Sequence, residues 1–558
     1  APLIATLALS FILFQAALVW RTFQASWIPG EHRSVPGLPE VPTDGIPPLL
    51  PEINLAARAG IPNLVVRFSD VLVLIMAIAF VGLATWFLRR TRTGRGIQAL
   101  AQNAPMAAMI GVDVNSTIRR AFAVGGAFAG AAAFIFALYY GRPFGVHGAQ
   151  SGLMAFAAAL LGGIGSPLGA LVSGLTIGVF SSLSDYYLSA QWTPVLLLAL
   201  LILLLAWRPA GLTTALGDAA SQESSPFGDS VILSRTVNAV QARRWLFLLL
   251  LPLGLFPLLA QLFGWSGQTI LRSVEVYILL ALGLNVALGM AGLLDFGFAA
   301  GFGLGAYAGA LLSGFDASVP LLAGAAVAGL LGLLKGSLAR RLRGDFLAVA
   351  TLALGLLVRQ VVINLDHLTG GASGLSGFRA FRFLGMEMVD PTARFYAIFL
   401  FVVLGAFVVQ RLFDSRTGRA WVASREDELA ASASGVDVSH LRMLAFVVSS
   451  ALAGLAGALY AGSLPYVDPE TMSFHTTTLI LTMVILGGAG NIPGAIVGAA
   501  AIILYDKVFV PQLADWLALI WPRGLAIGSA PDIRGASFFN FGIALYLTVL
   551  IRARRRRR

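Results

Sequence analysis

Long apolar runs, separated by short polar stretches, extend along the whole chain. Many of them approach the ~20 residues that an α-helix needs to cross a bilayer. The runs are continuous, whereas the strands of a transmembrane barrel alternate between apolar and polar residues. The pattern therefore predicts an all-α, polytopic transmembrane helical bundle with about 16 candidate membrane segments. We place these segments at residues 3–20, 68–89, 119–140, 154–165, 168–183, 193–207, 245–263, 272–291, 296–314, 319–335, 345–365, 395–412, 442–463, 475–489, 493–508 and 538–552.

The basic residues orient these predicted helices. They form short clusters at the ends of apolar runs, and the positive-inside rule places such clusters in the cytoplasm. The number of predicted crossings between successive clusters has the right parity every time, and it leaves the C-terminus in the cytoplasm. The clusters lie at residues 89–95, 118–120, 241–244, 339–343, 411–419 and 552–558.

Two polar segments interrupt the apolar pattern, and their sequences are similar. The first polar segment (residues 93–114) reads TGRGIQALAQNAPMAAMIGVDV, and the second polar segment (residues 417–438) reads TGRAWVASREDELAASASGVDV. They are identical at nine of 22 positions, with an offset of 324. A glycine-rich stretch at 160–170 is repeated at 485–495. Because the basic clusters place both copies in the cytoplasm, the duplicated halves are parallel rather than inverted.

The duplication suggests a division of the chain. We predict a first half at residues 1–207, a cytoplasmic linker at 208–244 and a second half at 245–558. Four apolar runs within 245–335 have no counterpart before residue 1. We therefore expect the reading frame to begin further upstream, with four more spans; a genuinely asymmetric protein is the alternative.

Composition supports a membrane protein and removes other classes. Of the 558 residues, 58% are hydrophobic and 12% are charged, whereas a soluble domain is about 25% charged. The chain has no cysteine, which excludes disulfides, iron–sulfur clusters and thiolate zinc sites. The five histidines are scattered without metal-ligand spacing. We expect membrane lipid around the protein, and neither a metal nor a cofactor. We also expect no nucleic-acid partner, because the net charge of +11 comes mostly from the cytoplasmic clusters.

Each polar segment has the composition of a short docking helix. Small residues lie along one side of the predicted helix and polar residues along another. Gly111 and Gly435 are expected to end or bend it. Small residues would let a partner approach closely, and the attached membrane helices would transmit its movement. An ordinary solvated loop is the alternative for one copy alone, but duplication on the same side of the membrane favours a function.

The second polar segment resembles the EAA…G coupling loop of ABC importer permeases. The pattern reads Glu428, Ala430, Ala431 and Gly435, and the first copy has Ala104 in place of the glutamate. By this resemblance, two ATPase subunits would bind the polar segments. The coupling residues that it implies are Gly94, Arg95, Ala107, Ala108, Gly111, Gly418, Arg419, Glu428, Ala430, Ala431 and Gly435.

The wider chain resembles the branched-chain amino acid ABC permeases. The motifs are GLLDFGFAAGFGLGAYAGALL (292–312), RGDFLAVATLALGLLVRQVV (343–362), LTGGASGL (368–375) and the two glycine-rich stretches. Residues 1–216 resemble the later part of the first permease subunit and residues 245–552 the whole second subunit, as in a natural fusion. We expect a substrate pathway, with no catalytic residues, lined by Asn285, Asp295, Phe296, Gly297, Gly303, Tyr307 and Thr351.

The resemblance implies an importer of leucine, isoleucine and valine in a bacterial inner membrane, supplied by a periplasmic binding protein. No Walker A motif occurs, so ATP hydrolysis is expected on separate subunits, and the chain itself is not an enzyme. Urea, amides or other amino acids are alternative substrates. An ion-driven secondary transporter is the second class considered, and a membrane enzyme is the third. Ionisable residues in or near the spans are equally consistent with structural and functional roles: Asp295, Asp345, Arg359, Asp506 and Lys507.

Overall fold

A computed structural model describes most of the helical part of the chain. The described residues are 66–140, 147–163, 165–207, 251–257, 268–379, 390–464 and 466–520, with a few isolated positions at 9–16, 54 and 382–387. The predicted segments 3–20, 245–263 and 538–552 lie wholly or mostly outside them, as does the linker at 208–244. The chain forms two compact units, one of Trp27–Leu183 with Ala210–Gln222 and one of Ala1–Ser26, Ser184–Pro209 and Glu223–Arg558.

The first of these units is a set of membrane-length helices joined by short polar ones. Its opening helix begins where the backbone N–H of Arg67 donates to the Asp70 carboxylate at 2.9 Å. Arg89 and Arg90 lie in its last turn, where positive charge complements the helix dipole. The helices are α1 (Phe68–Arg90), α2 (Arg92–Gln102), α3 (Ala104–Met109), α4 (Val114–Tyr140), α5 (His147–Gly162) and α6 (Pro167–Tyr187), whose last turn passes the boundary of the unit.

The other unit contains the more deeply packed helices. Its elements are α7 (Thr193–Trp207), α8 (Gln268–Leu284), the π-helical segment (Asn285–Met290), α9 (Phe298–Leu311), α10 (Ser318–Ala339), α11 (Gly344–Asn364), α12 (Asp366–Thr369), a 3-10 turn (Gly371–Ser373), α13 (Pro391–Asp414), α14 (Arg416–Glu426), α15 (Glu428–Ala433), α16 (Val438–Ser463), a 3-10 turn (Pro469–Met472), α17 (Phe474–Gly487), α18 (Ile492–Leu504), a π-helical stretch (Tyr505–Phe509) and α19 (Val510–Ile520).

The described part of this unit contains two short antiparallel strand pairs. β1 (Leu375–Ser376) pairs antiparallel with β4 (Tyr466–Val467), with Leu375 opposite Val467. Gly374 precedes β1 at φ +72°, and a Cβ there would stand 3.0 Å from the Cα of Asp468. The glycines of LTGGASGL therefore allow this loop to lie against the chain that follows α16. A second antiparallel pair joins β2 (Arg382–Phe383) to β3 (Met386–Glu387).

The described residues include nine helices long and apolar enough to cross a membrane, and shorter apolar helices accompany them. The prediction of an all-α membrane bundle is confirmed, whereas the halves at 1–207 and 245–558 and their parallel arrangement stay predictions. The spans are Phe68–Arg90, Val114–Ala137, Pro167–Tyr187, Ile270–Met290, Ser318–Ala339, Phe346–Asn364, Pro391–Asp414, Val438–Ser463 and Ile492–Trp516.

Glycines bring three helices into backbone contact at the centre of the larger unit. A Cβ on Gly305 of α9 would stand 2.5 Å from the Cα of Gly454 on α16. A Cβ on Gly324 of α10 would stand 2.9 Å from the Gly454 carbonyl oxygen. Gly457, one turn further along α16, meets the backbone of α9 in the same way. Small residues at helix crossings allow such close approach inside a membrane, and they set the spacing of the helices around the site.

Candidate functional site

Both polar segments fold into a pair of short helices rather than the single helix that the sequence predicts. The break lies at Asn103 in the first segment and at Asp427 in the second. Each of these side chains accepts a hydrogen bond from the backbone three residues later, Asn103 at 3.0 Å and Asp427 at 2.9 Å. Asparagine and aspartate are strong N-cap residues, so each one ends the helix before it and begins the helix after it.

The two segments also end in the same way, with a Schellman motif at the predicted glycine. Gly111 has φ +88° and Gly435 has φ +84°. In the first segment Val112 N donates to Ala107 O at 3.0 Å, and in the second Val436 N donates to Ala431 O at 3.1 Å. The expectation that these glycines end a helix is confirmed, because a left-handed residue at this position favours glycine. Two stretches 324 residues apart therefore share one backbone geometry.

The interior contacts of the two segments match as well. Gly94 and Gly418 are buried against the end of the preceding membrane helix, and a Cβ at either position would collide with its backbone. Ala107 and Ala431 are buried at 2% and 5% exposure. The other coupling residues implied by the resemblance point outward: Arg95, Ala108, Arg419 and Ala430 are exposed. The coupling residues thus divide into a buried scaffold and an outer surface.

Large apolar side chains lie on that outer surface. On α3 and just after it, Met106, Met109 and Ile110 are 63%, 83% and 74% exposed. On α15, Leu429 is 74% exposed. Such groups next to a polar surface are typical of a docking site. These exposed apolar side chains, here called the apolar tips, lie at different positions: Met109 is the last residue of α3, whereas Leu429 is the second residue of α15.

Charged residues anchor the second polar segment to its neighbours. Glu428, the glutamate of the EAA pattern, lies 2.5 Å from Arg442 of α16 and 3.2 Å from Arg343, which precedes α11. Trp421 of α14 is fully buried, and its indole N–H donates to the Leu441 carbonyl at 2.7 Å. The glutamate therefore holds α15 in place, and it is Ala104 in the first segment. Sequence reasoning missed Trp421, although an indole in a polar stretch was a visible signal.

Four of the seven predicted pathway residues cluster at the connection between the π-helical segment and α9. The chain leaves helical conformation over residues 291–297, here called the broken segment. Asp295 lies within it, and its carboxylate pairs with Lys335 Nζ of α10 at 2.9 Å, both side chains being fully buried. Lys335 also donates to the Gly297 carbonyl at 2.9 Å. Phe296 N donates to the Thr351 hydroxyl of α11 at 3.1 Å. The structure thus brings Asp295, Phe296, Gly297 and Thr351 together.

The remaining pathway residues lie elsewhere. Asn285 belongs to the π-helical segment, and its Oδ1 accepts from Gly490 N at 2.8 Å. Gly303 and Tyr307 lie on α9, and a Cβ on Gly303 would collide with the Met472 side chain. Tyr307 packs in a buried cluster with Met472 and Val467. All the predicted pathway residues are buried in this conformation.

Sequence reasoning missed two residues that join these elements. Lys335, the partner of Asp295, is a lysine between glycines and leucines in an apolar run, and this was a readable signal. Arg425 lies on α14, and its NH1 donates to the Gly289 carbonyl of the π-helical segment. Burial lowers the pKa of its guanidinium, and the neighbouring Glu426 opposes that shift. Of the other ionisable residues considered, Arg359 pairs with Glu470 and Lys507 with Asp506.

The duplicated polar segments and the membrane-length helices of the described residues are those of a multi-pass membrane protein with an internal repeat. The family described as "Branched-chain amino acid transport system / permease component" matches residues 2–205 and again 268–527. The chain belongs to this family and carries its permease component twice, as the resemblance to a fusion predicted. It is a multi-pass membrane permease and not an enzyme.

Individual relatives agree with the two matches. The chain is 33% identical to the high-affinity branched-chain amino acid transport system permease protein LivM of Salmonella typhimurium, over 46% of this chain and 69% of the relative. It is 40% identical to LivH of the same organism, over 23% of this chain and 42% of the relative. It is 33% identical to BraD of Pseudomonas aeruginosa, over 30% of this chain and 54% of the relative. No solved structure matches the chain.

Proposed function

We propose that this chain forms both halves of the membrane pathway of an ABC importer for leucine, isoleucine and valine. Its relatives carry the name of branched-chain amino acid permeases. ATP is hydrolysed by two separate ATPase subunits, and a periplasmic binding protein delivers the substrate. The protein lies in the bacterial inner membrane with its C-terminus in the cytoplasm, as the basic clusters favour.

The shared geometry of the two polar segments supports their proposed role in coupling the ATPase subunits to the membrane helices. Each begins at a buried glycine and ends at a Schellman glycine, so its position relative to the adjoining membrane helices is fixed. Each also presents exposed apolar groups, chiefly Met109 in one and Leu429 in the other. These tips would enter an apolar recess on an ATPase subunit, and closure of the ATPase pair would then move the attached helices.

The pathway is proposed to pass the broken segment of the second half. On the predicted orientation, the broken segment lies at the cytoplasmic end of the span that closes with the π-helical segment. The burial of Asp295 and Thr351 means that the route past them is closed in this conformation. Opening requires α9 or α10 to move relative to α11.

Uptake into proteoliposomes tests the proposed function. The chain would be co-reconstituted with candidate ATPase subunits and a candidate binding protein, and labelled leucine would be followed with and without ATP. We expect uptake that needs ATP and the binding protein, as the proposed importer mechanism requires, and that also needs the ATPase subunits, because no Walker A motif lies in the chain. Uptake that instead follows a proton or sodium gradient would indicate a secondary transporter. Urea uptake without leucine uptake would contradict the proposed substrate but not the proposed mechanism.

Removing an exposed docking contact should uncouple the transporter. Leu429→Asp is expected to reduce ATP-driven uptake by about tenfold, the effect of losing one good interface contact, while the chain still inserts and folds. Leu429→Met keeps an apolar tip and serves as the control. Leucine transported per ATP hydrolysed is the measurement. Equal ratios in both variants would show that α15 is not a docking element. Tryptophan at Ala431 or Gly435 is less informative, because one is buried and the other has positive φ.

A further inference from the structure

Arg425 joins the second polar segment directly to the membrane core. It lies on α14, one helix before the exposed tip, and is only 8% exposed. Its NH1 donates to the carbonyl oxygen of Gly289. A Cβ on Gly292 would stand 2.7 Å from Arg425 Cγ, so the stem of the arginine lies against this glycine, which has φ +70°. The contact therefore needs both the Arg425 guanidinium, which binds the Gly289 carbonyl, and a glycine at position 292, which leaves room for the arginine stem.

The carbonyl that Arg425 binds belongs to an unusual helical turn. Asn285–Met290 is π-helical and continues α8. Asn285 Oδ1 in the same segment accepts from Gly490 N at 2.8 Å, and Gly490 lies in the turn between α17 and α18 with φ +88°. A Cβ on Gly490 would stand 3.6 Å from Arg425 NH1. Three elements thus meet at one place: the second polar segment, the π-helical segment and the α17–α18 turn.

This junction has the properties of a mechanical link. Arginine keeps its charge even when buried, and its planar guanidinium holds an acceptor in a defined geometry. A π-helical turn inside an α-helix is uncommon and occurs frequently at functional sites. The broken segment follows the π-helical segment directly and carries Asp295, so a displacement at Gly289 reaches the predicted pathway within a few residues.

The first polar segment lacks this link. At the offset of 324 the counterpart of Arg425 is Ala101, an exposed residue. The caps, the buried alanine and the Schellman glycine are shared by the two segments, so the difference lies in the side chains that anchor them, Arg425 and Glu428, and not in the backbone. The two halves of the permease therefore differ in how their polar segments connect to the rest of the fold.

We propose that Arg425 is a positioning residue that transmits displacement of the second polar segment to the π-helical segment, and so opens and closes the pathway at the broken segment. This role rests on the proposed function. Arg425 touches neither substrate nor ATP, and it acts through Gly289.

Transport per ATP hydrolysed, in the complete reconstituted complex, measures the link. Arg425→Met should lower this ratio by roughly two- to thirty-fold, the range found for residues that couple distant sites, while ATP hydrolysis continues. Arg425→Lys keeps one positive donor and should restore part of the ratio. Arg416→Met removes the same charge from an exposed position of α14 and should leave the ratio unchanged. A purely structural role would reduce uptake and hydrolysis together, at a constant ratio.

The absence of cysteine from the chain allows a direct readout of movement. Ala291, the first residue of the broken segment, would be replaced by a single cysteine, and its reaction rate with a maleimide measured without nucleotide and in the vanadate-trapped complex. We expect the rate to differ between the two states with Arg425 present and to be the same in both with Arg425→Met.

Three outcomes would overturn the proposal: an unchanged transport ratio in Arg425→Met, a cysteine at position 291 that never responds to nucleotide, or a response that persists without Arg425. If Arg425→Met does not accumulate in membranes, Arg425→Lys decides the question by the same two measurements. Absence of ATP-driven uptake in the unmodified complex would be a failure of the proposed function, which is a separate result.

Discussion

Replacing Lys335 by methionine is expected to lower the free energy of unfolding by about 3–5 kcal/mol, the cost of leaving a buried charge without its partner. The Asp295 carboxylate and Lys335 ammonium are both fully buried, 2.9 Å apart. Methionine fills a similar volume but leaves Asp295 unpaired, and it removes the donor to the Gly297 carbonyl. Thermal unfolding of the purified protein in detergent, followed by tryptophan fluorescence, is the measurement.

Two further variants test the reason for this effect. Asp295→Asn combined with Lys335→Met removes both charges and should recover much of the lost stability, because replacing a whole buried pair is often nearly neutral. Lys507→Met makes the same change in a lysine that is 57% exposed and pairs with Asp506. An exposed pair contributes roughly 0–1 kcal/mol. Similar losses in Lys335→Met and Lys507→Met would contradict the assignment of Asp295 and Lys335 as a buried pair.

Replacing Gly454 by leucine is expected to prevent stable folding of the second half. A Cβ at this position would collide with the Gly324 carbonyl and with the Ala328 methyl group of α10. Overpacking against a flexible side chain costs about 1–3 kcal/mol, but here the obstacle is backbone, so α10 and α16 would have to separate. We expect little monodisperse protein by size-exclusion chromatography, and a much lower melting temperature for what remains.

The duplication supplies the matched control for that substitution. Gly130 is the counterpart of Gly454 at the offset of 324, and a Cβ there would meet nothing within 4 Å. Gly130→Leu introduces the same side chain into a helix of the other copy and should leave yield and melting temperature close to those of the unmodified protein. Comparable damage from both variants would mean that leucine disturbs the helix itself rather than the crossing.

The sequence predicted the helical membrane class and the repeat because both depend on the residue pattern alone, the first on long apolar runs and the second on similar segments of sequence. Apolar runs near membrane length need no knowledge of tertiary contacts. Gly111 and Gly435 were recognised as helix ends because many helices end at a residue in the left-handed conformation, which glycine adopts without strain. The break at Asn103 and Asp427 was missed, although both are N-cap residue types and Pro105 at the start of the following helix was a further signal in the first segment.

Contacts of the site between residues far apart in the chain were harder to predict. Asp295 was considered, but its partner Lys335 is 40 residues away, and only the fold brings the two together. Arg425 and Gly289 are 136 residues apart. The π-helical segment has no distinctive residue pattern, since its geometry comes from the contacts around it. The motifs suggested Asp295, Phe296, Gly297 and Thr351 as pathway residues; the structure shows that they lie close together, and their role in a pathway stays a prediction.

The capped geometry of the two polar segments has an evolutionary consequence. Substitutions at the N-caps, the buried alanines and the Schellman glycines would alter the backbone, so purifying selection should act on them in both copies alike. The outward positions carry no such constraint and can drift independently after a gene duplication, as Met109 opposite Ala433 already illustrates. A fused chain of this kind can therefore evolve two distinct recognition surfaces. On the proposed function, the ATPases that bind them can diverge into a heterodimer whose orientation is fixed by sequence rather than by symmetry.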